Sequence, residues 1–127
     1  MDERRIMFDT IITKEVDCPE CFKKHKDIPY RYIDILNEGK EVIGHLALGF
    51  LPNKECVAHL VFELWSRGSF KAFKTGIFSV IIPGLKELGI KKIIAVNSAE
   101  AGNKWERFME LINFSKPEHF LYSTMEL

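Results

Sequence analysis

The chain has no apolar run approaching the roughly 18 residues that a membrane-spanning helix needs, and no sustained apolar segment follows its opening Met1-Asp2-Glu3-Arg4-Arg5. Neither a span nor a secretory leader is expected, which reads as a cytoplasmic protein. There is no excess of either charge, since 18 Lys plus Arg balance 18 Asp plus Glu. The whole-molecule field therefore gives no push toward nucleic acid or an anionic membrane, and any anion site must be local. Cysteine is sparse: three, an odd number without a leader, argue for reduced thiols rather than a disulfide framework. No linker, repeat or low-complexity stretch divides the chain, so no internal boundary is placed. What remains is 127 residues, 46% hydrophobic and 12% aromatic, enough for about one domain around one continuous core.

Side-chain periodicity orders the first half. Residues 6 to 13, rich in Ile and Thr, suit a first strand. Residues 17 to 26 are charged and suit one or two helical turns. Residues 30 to 36 and 41 to 51 read as strands joined by Asn37-Glu38-Gly39-Lys40, a hairpin turn in which Gly39 can take a positive φ without steric cost. Residues 55 to 65 read as a further strand, sorted by its period of two. Cys56, Ala58, Leu60, Phe62 and Leu64 form an apolar face, and Glu55, Val57, His59, Val61, Glu63 and Trp65 a mixed one.

Residues 70 to 88 admit two readings. Lys71, Lys74 and Lys86 with apolar residues between them suit a helix, although Gly76 and Pro83-Gly84 weaken one. Residues 77 to 82, bounded by Gly and Pro, also fit a buried strand by local rules. Gly89 suits a helix C-cap and residues 91 to 96 a buried parallel strand. Residues 103 to 112 are amphipathic, with Trp105, Phe108, Met109 and Ile112 spaced three to four apart. Residues 121 to 127 suit a closing strand.

From residue 55 onward this order of pieces resembles the C-terminal two-thirds of the Gcn5-related N-acetyltransferase (GNAT) family, which moves acetyl groups from acetyl-CoA to amines. The resemblance implies an α/β domain over residues 1 to 127 with a mixed, mostly antiparallel sheet flanked by helices. Only the fourth and fifth strands would then pair parallel, across a long helix kinked near Pro83. At the strand-to-helix join the family has Gln or Arg, two residues, Gly, one residue, then Gly or Ala. Arg67-Gly68-Ser69-Phe70-Lys71-Ala72 matches at Arg67 and Ala72 and departs at Phe70. There the resemblance implies a CoA diphosphate on the backbone N–H groups of Gly68 to Ala72, Ser69 included, at the positive end of a helix, with Arg67, Lys71 and Lys74 as nearby cations. The plainer reading of those three cations is a solvated helix face. The pantetheine arm would follow the backbone of Phe62 and Leu64, with Asn97 and Asn103 opposite; turn and capping chemistry is the plainer reading of both asparagines.

For chemistry the resemblance implies a general base on the mixed face of the fourth strand, Glu63 or His59, with Glu55 on the same face. The family's acid, a tyrosine, is replaced by Met109, leaving Tyr122 or water to protonate the leaving thiolate. The acceptor would be a primary amine on a small molecule or protein, and a homodimer stays open. One rival is zinc: Cys18-Pro19-Glu20-Cys21 with Cys56-Val57-Ala58-His59 would make a Cys3His set, His25 being a further ligand. If that segment is a strand, however, Cys56 and His59 face opposite ways. Another rival is a catalytically inactive interaction protein, because compact relatives without the glycine pattern are similar to bacteriophage-borne proteins. Nucleic acid is a weak partner, since Lys23, Lys24 and Lys26 are flanked by Asp17, Glu20 and Asp27.

Overall fold

The structure, a computed structural model, describes residues 8–10, 12–20, 22, 28–63, 66–96 and 122–127. The helix expected over 103 to 112 lies outside these residues, as does half of the segment 17 to 26; its described half, 17–20 and 22, forms a single turn in which the Phe22 N–H bonds to the Pro19 carbonyl at 3.1 Å. The period of two is clearest in the hairpin, where β2 (Tyr30–Leu36) and β3 (Val42–Phe50) pair antiparallel with Ile33 opposite Leu46 and Asp34 opposite His45. The turn closes on Asn37. Its side chain accepts the Glu41 N–H at 2.9 Å and its carbonyl accepts the Lys40 N–H at 3.0 Å. The positive φ expected at Gly39 falls instead on Lys40, at 63°.

The first strand also begins later than expected. Thr10 Oγ1 accepts the N–H groups of Ile12 and Thr13, which bends the chain there, and β1 (Thr13–Val16) starts only where Thr13 pairs with Ile35. Phe8, before the bend, is fully buried instead of extending the strand. The next strand, β4 (Glu55–Phe62), is antiparallel to β3. β5 (Lys92–Val96) runs parallel to β4, and β6 (Tyr122–Glu126) antiparallel to β5. The described residues thus form one six-stranded mixed sheet in sequence order with a single parallel pair, as the resemblance implied.

The two readings of residues 70 to 88 resolve in favour of the helix. α1 (Arg67–Gly76) passes through a π-helical turn (Ile77–Ile81) into α2 (Ile82–Glu87). The irregularity expected at Pro83 falls just ahead of it. A proline ring clashes with the carbonyl four residues back and offers no N–H, so the preceding turn widens and the Ile82 N–H bonds to the Ile77 carbonyl. α2 ends as expected at Gly89, whose φ is 83°. The Ile90 N–H bonds to Leu85 O and the Gly89 N–H to Lys86 O, a Schellman closure with Ile90 and Leu85 both buried.

The helical segment covers one face of the sheet. Ile33, Ile35, Leu46, Leu48, Cys56, Ala58, Ile93 and Ala95 point into that core from the strands, and Phe73, Ile77, Ile81 and Leu85 from the helix. Phe73 is fully buried, its ring centroid 4.1 Å from that of Phe62. It occupies the space that a Cβ on Gly44 would need: such a carbon would lie 2.0 Å from Phe73 Cζ and 2.8 Å from the Val61 carbonyl oxygen. Gly84 makes room for Phe8 in the same way, at 2.5 Å. The helix-weakening glycine before the helix end is therefore a packing position. Gly44→Ala should lower stability by about 1–3 kcal/mol, the usual cost of overpacking a core, measured by urea unfolding. Phe73→Leu should recover part of that loss in the Gly44→Ala background although it destabilises alone, a coupling that a double-mutant cycle reads directly.

Candidate active site

The end of β4 and the start of α1 are separated by four residues, so the strand terminus meets the positive pole of a ten-residue helix. Ser66 caps that pole: its Oγ accepts the Ser69 N–H at 3.1 Å and its carbonyl accepts the Phe70 N–H at 3.0 Å. Lys71 and Ala72 lie deeper, where helix N–H groups bond four residues back. This corrects the expectation that the amides from Gly68 to Ala72 all face an anion. Geometry leaves those of Arg67 and Gly68, with that of Ser69 once Ser66 turns away. Arg67, Lys71 and Lys74 are exposed on one side of the helix. Phe70, where the resemblance implied glycine, turns its ring edge-on to Phe62, with centroids 5.6 Å apart, and packs against the core. Gly68, Ser69, Lys71 and Ala72 together form one wall of a cavity of about 520 Å3 whose other wall is the hairpin tip, Leu36 to Gly39 with Ile43.

On the other face of the sheet, β4 presents the polar positions that its alternation predicts. The parallel ladder runs from Glu55 opposite Lys92 to His59 opposite Val96. His59 Nε2 lies 3.2 Å from the Tyr30 hydroxyl, whose ring sits 5.9 Å from the imidazole and stacks beside Tyr32. Burial raises the Tyr30 hydroxyl above its ordinary value, so it stays neutral and able to donate. Glu63, one residue past β4, bonds through Oε1 to His45 Nε2 at 2.8 Å, and His45 Nδ1 lies 2.7 Å from Asp34 Oδ1. His59 and Glu63 share a face but stand four residues apart along the strand, about 13 Å, so they belong to two separate clusters. Glu55 is tied to Lys92 at 4.0 Å. The backbone of Tyr122 is opposite Val96 and so shares a cross-strand row with His59.

Asp34, His45 and Tyr30 were not among the sequence-derived candidates. Their signal was the hairpin register, which puts Asp34 opposite His45 and both on the face that carries Glu63. Leu64, Asn97 and Asn103 lie outside the described residues, as do Trp65, Phe108 and Met109.

No family profile and no curated protein matches this sequence. Solved structures do match its fold. An acetyltransferase of the GNAT family from Staphylococcus aureus Mu50 is 16% identical, with TM-score 0.53 over 77% of this chain and 68% of that one. Spermidine N-acetyltransferase from Vibrio cholerae, solved with CoA and spermine, is 15% identical, with TM-score 0.59 over 76% of this chain and 65% of that one. A GNAT-superfamily phosphinothricin acetyltransferase from Sinorhizobium meliloti, solved with AcCoA, is 18% identical, with TM-score 0.54 over 77% and 61%. This chain spans 61 to 68% of the length of these three proteins and has their fold.

The zinc reading loses its geometry. Cys56 is fully buried in the core, whereas His59 faces Tyr30 on the opposite side of the sheet, so the two cannot reach one ion. Cys18 Sγ donates to the carbonyls of Pro19 and Phe22, both at 3.6 Å. Cys21 and His25 lie outside the described residues. No cluster of three or more His, Cys, Asp or Glu suited to a metal occurs among those described. Burial pushes the Cys56 thiol from 9.0 up to about 12. An acid held neutral in the fold contributes stability that is complete below pH 9.0 and is lost as pH rises toward about 12. Native protein treated with a thiol reagent at pH 8 should leave Cys56 unmodified by peptide mass spectrometry, and urea should expose it. The urea midpoint should fall between pH 9 and 11, with a smaller fall for Cys56→Ala.

Proposed function

We propose that this protein is an acetyl-CoA-dependent N-acetyltransferase acting on a primary amine. The observation that carries the reading is the β4–α1–β5 unit, in which a parallel strand pair ends beside a capped helix start flanked by Arg67 and Lys71. The same fold occurs in acetyltransferases solved with CoA, AcCoA and spermine. In this reading the diphosphate sits at the Arg67 and Gly68 amides and displaces the Ser66 hydroxyl from Ser69, while Lys71 meets a phosphate as a point charge. The arm follows the backbone of Phe62 and Leu64, beyond the last paired residues His59 and Val96, with Asn97 and Asn103 on its other side. Glu63 is the general base. It is 52% exposed at the strand end, where an ammonium can approach its Oε2 while His45 holds Oε1, whereas His59 meets Tyr30 through Nε2. With methionine at position 109, Tyr122 or water protonates the thiolate.

Calorimetry with millimolar CoA is the first test, and absence of heat together with absence of a thermal shift rejects the reading. Given binding, Arg67→Glu combined with Lys71→Glu should weaken it by at least about ten-fold at low salt, and by less as ionic strength rises and screens the phosphates. Against acetyl-CoA and a panel of polyamines, amino acids and lysine peptides, Glu63→Gln should cut kcat by about a hundred-fold to ten-thousand-fold, the range for a lost general base. His59→Ala should cost far less. Wild-type protein that binds CoA and acetylates none of these amines would be a non-catalytic CoA-binding protein.

A further inference from the structure

Three side chains from three neighbouring chain segments form one hydrogen-bonded line on the face of the sheet opposite α1: Asp34 on β2, His45 on β3 and Glu63 just beyond β4. The register builds it. Asp34 stands directly opposite His45, and His45 directly opposite Val61, so Glu63 is the next residue on the same face of β4's path. The Glu63 N–H bonds to the Ile43 carbonyl at 2.9 Å, which keeps its backbone on the sheet beyond the formal strand end. Both contacts of the ring, 2.7 and 2.8 Å, lie in the short range of charge-assisted bonds. A neutral imidazole donates through one nitrogen only, so a ring between two carboxyl groups satisfies both ends only when the line holds one further proton. Side-chain exposure rises outward, from 13% for His45 and 16% for Asp34 to 52% for Glu63, so the line opens to solvent at its glutamate. Lys14, opposite Asp34 on β1, and Tyr32 and His59, both opposite Ala47, are ionisable groups that neighbour it on the same face.

We infer that Asp34 and His45 are positioning residues for Glu63, forming with it a hydrogen-bonded relay that passes position rather than protons and fixes the glutamate at the end of β4. The inference rests on Glu63 serving as the base in the proposed acetyl transfer. An exposed glutamate samples many rotamers. The His45 N–H holds one Glu63 oxygen, leaving the other to face the acceptor, and Asp34 holds the ring. In the transfer the amine lone pair forms the C–N bond and the thioester C–S bond breaks with its electrons on sulfur. The proton shed by nitrogen passes to Glu63, Tyr122 or water gives the thiolate its proton, and Glu63 releases its own to solvent, which restores that donor, so the relay is unchanged after one turnover.

The test uses the full chain with acetyl-CoA and its best amine. His45→Ala should lower kcat by about ten-fold to a hundred-fold, as misplacing a catalytic group does, while the calorimetric Kd for CoA stays within about two-fold. Added imidazole should restore part of that kcat. The loss should vanish in the Glu63→Gln background, because the relay has then already lost its end. Full activity in His45→Ala, or a loss that simply adds to that of Glu63→Gln, overturns the inference. Should His45→Ala fail to fold, Asp34→Asn and His45→Gln keep shape and carry the same non-additivity test. A second arm needs no cofactor: the ring nitrogen resonances of His45 should move on Glu63→Gln and on Asp34→Asn. If they do not move, the relay is absent whatever the protein catalyses. A protein that binds no CoA but shows these shifts retains the hydrogen-bonded line and loses the proposed reaction, and with it the inferred role.

Discussion

The seat of Phe73 against Gly44 is the contact on which the placement of the rest depends. A strand residue without a Cβ lets a helix residue descend to the backbone of β3, and the ring then meets Phe62 at the end of β4. Burying one phenylalanine stabilises by roughly 1.5–3 kcal/mol, but its positional effect is larger than that figure suggests. Phe73 sits two turns into α1, so fixing it also fixes where the helix begins and which way Arg67, Lys71 and Lys74 face. Eleven residues later the relation inverts. Gly84 on the helix receives Phe8 from the chain before β1, about 16 Å along the axis. Two glycines, one in the sheet and one in the helix, thus pin both ends of the helical segment.

The π-helical turn between those seats has a geometric reason. Phe73, Ile77, Ile81 and Leu85 all point into the core at a strict spacing of four. On a helix of 3.6 residues per turn, each step of four drifts by about 40° around the axis, so Leu85 would be carried well off the stripe that Phe73 starts. A wider turn from Ile77 to Ile81 takes back part of that drift. Pro83 requires a disturbed turn just there in any case, and a single irregularity answers both demands.

Much of this was legible in the sequence because it depends on local periodicity. The two faces of β4, the hairpin and the Gly89 terminus each follow from residue types at short spacing, whereas the helix over 70 to 88 and the parallel crossing followed only from the order of pieces that carries the resemblance. The late start of β1 was not legible, because a hydroxyl at Thr10 competes with the strand ladder for the same N–H groups. Gly39 misled for a related reason: the Asn37 side chain organises the turn and moves the positive φ to Lys40. At the candidate site, alternation identified Glu63 and His59 as face-mates but could not say that they fall into different clusters. That distinction comes from β2 and β3, which deliver Tyr30 to one and the Asp34–His45 pair to the other. Period gives the face of a residue; only register gives its neighbours.

A net charge of zero conceals a separation that the fold creates at the end of β4. The cations Arg67, Lys71 and Lys74 ride on the helix that covers the apolar face, whereas Asp34 and Glu63 project from the opposite face of the same strands. The sheet holds the two sets of charges apart, and solvent with its ions screens each from the other. Each sign is therefore presented to solvent on its own side of one strand terminus, within reach of a ligand that runs along it. A polyanion held by its phosphates on the helical side and a cationic amine drawn to the carboxylate side would approach that terminus from different directions without competing for one surface. A uniformly basic or acidic protein of the same fold would attract one of the two and repel the other. Charge balance in the sequence is thus compatible with two ionic sites of opposite sign, provided that the strand alternation and the helix seat keep them apart.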